Sequence, residues 1–244
     1  MNDLLLLIPL FFLIAFIYSS AGLGGGSSYL ATLSLMSLPF VDLRMIALIC
    51  NIVVVSSSIF LFAKHDYIKW RKIIPLILLS VPLAYLGGTM KLNARFFYLL
   101  LGGSLLFSAL LMLMDIKRKA YRFPRYSNAG IGGGIGFLSG MVGIGGGIFL
   151  SPLLHLANWA KPKVIAATTA AFILVNSIAG LLGQIQTNGF QVEWRFLFGL
   201  IGAVIMGSQL GVRLTIFKLN PKGVRKMTAF VILIVAIRLL IKNI

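Results

Sequence analysis

Apolar residues run along this chain in stretches of membrane-crossing length, separated by short polar segments that carry lysine and arginine. A spanning helix needs about 20 residues, and the pattern predicts three such runs in each half of the chain. In the first half they are residues 45–63, a span containing Gly87-Gly88, and a run ending at Met114. In the second they are residues 164–185, a span containing Gly207 and Gly211, and a run to about Leu240. Each set follows an opening segment broken by glycine. Ala21-Gly22-Leu23-Gly24-Gly25-Gly26-Ser27 breaks the first, and Val142-Gly143-Ile144-Gly145-Gly146-Gly147-Ile148 breaks the second. A glycine weakens a helix by about 1 kcal/mol relative to alanine, so these runs interrupt it. In lipid such an interruption survives only where the freed backbone is buried in protein or lines a cavity.

The halves stay in step beyond the break. Ile68-Lys69-Trp70-Arg71 answers Val192-Glu193-Trp194-Arg195, and Lys91-Leu92-Asn93 answers Lys218-Leu219-Asn220. Pro39 and Pro162 stand in matching connections. The chain therefore reads as two copies of one unit, residues 1–120 and 121–244, integrated into one transport domain. The first opening segment, residues 4–38, is too long for one upright crossing and short for two crossings around a break. It is a single broken crossing or a pair of half-helices that returns to its own side.

Charge chooses between these. If both openings return, as half-helices or equally as two complete crossings, the loops divide 16 Lys and Arg on one side against 6 on the other, with Arg44 in the minority loops. If each opening crosses once, the division is 12 against 10. The positive-inside rule prefers the first, with both termini outside in an inner membrane. Each half then has an odd number of net crossings, and the second is inserted upside down. The expected fold is an all-α polytopic membrane protein of two inverted repeats, each a returning broken pair followed by three transmembrane helices. Tyr67, Trp70, Tyr121, Tyr126, Trp159 and Trp194 fall at predicted span ends, as an aromatic belt would.

Composition agrees: 59% of residues are hydrophobic, 11% are charged and the mean hydropathy is +1.00. The net charge of +17 belongs to the loops and does not imply nucleic-acid binding. Cys50 is the only cysteine, which excludes an intramolecular disulfide or a cysteine metal cluster. Met1-Asn2-Asp3 lacks the positive start of a secretory signal, so the first apolar run reads as part of the fold.

The five acids, Asp3, Asp42, Asp66, Asp115 and Glu193, fall in or beside loops. A cation pump keeps a carboxylate in the membrane, so the interior points to the opposite sign. A helix restarting after the break exposes unpaired N–H groups and about half a positive charge. Gly24, Gly25, Gly26, Gly145, Gly146 and Gly147 let an anion approach that backbone, and Ser27 and Ser28 add hydroxyl donors. The alternative reading of the glycines is close helix packing; their duplication favours a site. Asn51, Thr168, Thr169 and Asn176, with Ser177 and Gln184, are the polar residues expected to face it from the following spans.

These residues resemble the sulfite exporter TauE/SafE family. The carriers are the two Gly-x-Gly-Gly-Gly segments, Pro152, the Thr168-Thr169…Asn176-Ser177-Ile178-Ala179-Gly180 span and the Gly207…Gly211 pair. The second half fits best; the first has Cys50-Asn51 and Ser56-Ser57-Ser58 in place of a threonine-serine pattern. The resemblance implies a permease for sulfite, sulfonates or sulfoacetate, without cofactor. The residues alone imply a small anion, and they leave open a passive anion channel or a carboxylate carrier. Proton or sodium coupling and an oligomeric assembly are also left open. One cysteine, two separated histidines and no buried acid speak against a membrane enzyme.

Overall fold

The computed structural model describes residues 2–20, 22–34, 36, 38–113, 125–190, 192–217, 229–230, 233–234, 236–237 and 240–241. Among them are nine helices and no strand. The first half contributes α1 (Asn2–Ser20), α2 (Gly26–Leu33), α3 (Phe40–Lys64), α4 (Trp70–Thr89) and α5 (Ala94–Leu113). The second contributes α6 (Arg125–Val142), α7 (Gly147–Leu156), α8 (Pro162–Asn188) and α9 (Trp194–Phe217). Five are long and apolar enough to cross a membrane, over Phe40–Lys64, Trp70–Thr89, Ala94–Leu111, Pro162–Asn188 and Trp194–Arg213. The protein is thus an all-helical multi-pass membrane protein. Tyr121, Lys218-Leu219-Asn220, the basic residues at 117–122 and much of the last apolar run lie outside the described residues.

Both broken openings turn back. The Phe11 ring of α1 stacks on the Tyr29 ring of α2 with centroids 4.6 Å apart. Had α2 continued the direction of α1, these rings would stand at least about 18 Å apart along the axis. The second pair returns by a different test. Gly132, Gly136 and Gly140 of α6 lie in turn against the carbonyls of Leu76, Ser80 and Ala84 of α4, so the two helices run parallel. After the break α7 leads back to Trp159, whose ring lies 5.1 Å from the Lys72 ammonium at the start of α4.

The same level holds the loop after α3, where the Lys163 ammonium lies 5.5 Å from the Tyr67 ring. The basic segments 64–72 and 161–163 therefore share one face of the molecule, as loop charge predicts. It follows that α3 ends where α8 begins, and the two are antiparallel at the centre. Around them the first helix of each half packs on the fourth helix of the other, α1 on α9 and α6 on α4. Glycine again sets the approach: Gly207 and Gly211 of α9 meet the Phe12 and Phe16 carbonyls of α1.

One expectation fails. Arg44 is not a loop residue. Pro39 caps α3, which starts at Phe40, five residues ahead of the predicted start at residue 45, because the fixed φ of proline suits a helix entry. Arg44 is thereby carried into the helix and is 1% exposed.

Candidate functional site

The two breaks are built alike. At the first, Leu23 N–H bonds to the Tyr18 carbonyl at 2.9 Å and closes α1, while Gly25 at φ 86° caps α2. At the second, Ile144 N–H bonds to the Ser139 carbonyl at 3.2 Å and closes α6, while Gly146 at φ 81° caps α7. That left-handed backbone is open to glycine at no steric cost, which is why the caps occupy the same place in both motifs. The carbonyls of Gly25 and Gly146 each accept two N–H bonds from the following turn. The first two N–H groups of each helix, at Gly26 and Ser27 and at Gly147 and Ile148, are left over.

Asn51, twelfth residue of α3 and fully buried, joins the two breaks. Its Oδ1 accepts from Gly26 N–H at 2.9 Å, and its Nδ2 donates to the Ile144 carbonyl at 3.1 Å. One amide thus ties α2's start to the loop that precedes α7. The N–H groups of Ser27, Gly147 and Ile148 find no acceptor among the described residues. They border a small cavity, about 10 Å³ for a water-sized sphere, walled by Gly24, Gly25, Gly26 and Ser27 on one side. Ile144, Gly147 and Ile148 wall the other, and Tyr18, Leu23 and Ile173 complete it. Such a space holds about one water. Two positive helix ends face it, and no carboxylate lies among its lining residues.

Of the expected site residues, Gly24, Gly25, Gly26, Ser27 and Gly147 line this cavity. Asn51 and Gly145 flank it: a Cβ on Gly145 would press on Ser177 Oγ and Asn51 Nδ2. Ser28 borders it less directly, its hydroxyl 2.6 Å from the Tyr18 hydroxyl. Gly146 turns toward Phe172, Ile135 and Ser139. The Thr169 methyl lies beside Gly147, and the hydroxyls of Thr168, Thr169 and Ser177 are buried without partners. Asn176 serves another seam. Its Oδ1 accepts from Ser80 of α4 at 2.8 Å and its Nδ2 donates to the Phe172 carbonyl at 2.8 Å. One residue along a helix is about 100° of rotation, which separates Asn176 from Ser177. Leu23, Ile144 and Ile148 line it from within the break motifs without having been expected as site residues, and two more lie outside those motifs. Tyr18 is an apolar-span tyrosine just before the break, a signal that could have been read; Ile173 carries none.

The family model described as sulfite exporter TauE/SafE matches residues 7–239. The chain is 30% identical over 237 residues to the probable membrane transporter protein y4hK of Sinorhizobium fredii, covering 94% of this chain and 95% of that one. It is 28% identical over 256 residues to the probable membrane transporter protein MJ0441 of Methanocaldococcus jannaschii, covering 94% of each. A shorter match, 27% over 110 residues, is to the probable membrane transporter protein YunE of Bacillus subtilis, with 45% of this chain and 39% of that one covered. No solved structure matches.

Proposed function

The chain belongs to the sulfite exporter TauE/SafE family, and we propose that it is a secondary permease for small anions. The substrate class is sulfur oxyanions or sulfonates such as sulfite or sulfoacetate, held between the starts of α2 and α7 and exposed to each side in turn. The observation that carries this reading is the meeting of two helix N-termini at one carboxylate-free cavity, with the Ser27, Gly147 and Ile148 N–H groups unspent. Backbone donors of this kind favour an anion. The antiparallel α3 and α8, and the exchange of α1 and α6 between halves, support two inverted repeats that rock against each other.

The cavity holds about one water and a sulfur oxyanion is larger, so substrate entry requires the breaks to part. Asn51 bridges them, and its release from Gly26 or Ile144 is the local event that opens the space. This is carrier behaviour; a passive pore would need continuous width. The test is uptake into proteoliposomes holding the purified full chain, with labelled sulfoacetate and an imposed proton or sodium gradient. Saturable accumulation above the external concentration is expected. Equilibration without accumulation under either gradient would replace the carrier with a channel.

A further inference from the structure

The fold buries an arginine that this site does not use. Arg44 is 1% exposed, and its Nη2 donates to the Gly140 carbonyl at 3.0 Å near the end of α6. Its Nε has no acceptor, and no carboxylate among the described residues pairs with it. Asp42, two residues away on α3, points to another side of the helix. A helix C-terminus supplies only about half a negative charge, so the guanidinium stands under-compensated.

A second unmet polar group lies on α8. Gln184 of α8 is fully buried, and neither its Nε2 nor its Oε1 has a partner. The antiparallel register of α3 and α8 sets the two residues at the same level. Asn51 and Ser177 meet at Gly145, and Leu48 lies across from Gly180. One turn further stand Arg44 and Gln184. Gly140 makes the same connection, since its Cα lies 3.4 Å from the Gly180 Cβ position while its carbonyl takes the Arg44 bond. The other end of the pair is apolar. Gly22 abuts Ala166 as Gly143 abuts Arg44, and the same register sets Ala166 across from Phe62. The buried guanidinium and the unpartnered amide stand at one end only.

We infer that Arg44 and Gln184 form a second anion station, about 10 Å along α3 from Asn51 and toward the face opposite the basic loops. It rests on the permease reading above. The ligand is a small oxyanion, which takes the guanidinium as counter-charge and accepts from Arg44 Nε–H and Gln184 Nε2–H. On this route the anion passes between a charged side chain and the backbone N–H donors of the helix ends at the breaks.

The test is anion affinity of the purified full chain in detergent, from thermal stabilisation against sodium sulfite and sodium sulfoacetate. Arg44→Gln keeps a donor for Gly140 and removes the charge; its affinity is expected to fall at least about tenfold, the loss of a charge-assisted contact. Gln184→Leu replaces an unpartnered amide by an apolar group of similar size, so it folds, and it is expected to weaken affinity at least about threefold. Phe62→Leu, at the apolar end, keeps wild-type affinity. Wild-type affinity in Gln184→Leu, or in Arg44→Gln where that variant folds, overturns the station and leaves the permease intact. A wild-type protein that no anion stabilises, and that transports none, overturns both.

Discussion

Asn51 concentrates two roles in one side chain. Its amide satisfies a buried N–H at Gly26 and a buried carbonyl at Ile144, and these belong to different halves of the chain. Removing it orphans both groups, at about 1–3 kcal/mol each. Asn51→Ala is therefore expected to unfold at least about 2 kcal/mol more easily than wild type, measured by denaturant titration in micelles. Ser57→Ala is the control. Its hydroxyl bonds to the Val54 carbonyl of its own helix and to the Ser208 hydroxyl, and it is half-buried, so the loss is expected to stay near about 0.6 kcal/mol. Asn51 was legible as a site residue because a buried amide in an apolar run must find several partners. Its bridging was not, since Ile144 lies 93 residues away and offers only backbone. Arg44 was misplaced for a local reason: hydropathy starts the span at residue 45, while Pro39 starts the helix at Phe40.

At the scale of elements, glycine does two different jobs that the sequence writes with the same letter. At Gly25 and Gly146 it supplies the left-handed cap from which a new helix starts. At Gly132, Gly136 and Gly140 it lies inside α6 and lets that helix meet α4 backbone to backbone, the small-residue packing of membrane helices. What separates the two is density. Gly-x-Gly-Gly-Gly cannot hold a helix, whereas glycines four apart on one face cost little against the contact they permit. Gly136→Leu would drive a side chain into the Ser80 backbone and is expected to abolish stable protein, judged by a monodisperse peak in size-exclusion chromatography. Gly134→Leu, two residues away and facing open space, is expected to leave the peak and the unfolding temperature unchanged. If both variants behave alike, α6 does not pack on α4 through that face. The five described spans could be read from hydropathy, and both breaks from the density of glycine. The pairing of α6 with α4 could not, because it depends on which face of a glycine-rich helix meets which carbonyls.

For the whole molecule, topology follows from a few level markers. Lys72 lies on Trp159 and Lys163 lies on Tyr67, so the segments after α3 and after α7 emerge on one face. Between them α4 runs away from that face, and the segment carrying Lys91 emerges on the other. The basic segments 64–72 and 161–163 hold the first face toward the cytoplasm if the positive-inside rule governs insertion. Single cysteines test this directly, in a background where the buried Cys50 is replaced by serine. Lys69→Cys and Lys161→Cys sit at exposed positions on the basic face, and Lys91→Cys is exposed on the other. In intact cells a membrane-impermeant maleimide is expected to label Lys91→Cys alone; in inverted vesicles it labels Lys69→Cys and Lys161→Cys. The pattern separates the alternatives because a single-crossing second opening would put residues 69 and 161 on opposite faces. Labelling of those two positions from different sides would undo the returning pair, and with it the antiparallel α3 and α8 that bring two helix N-termini to one cavity.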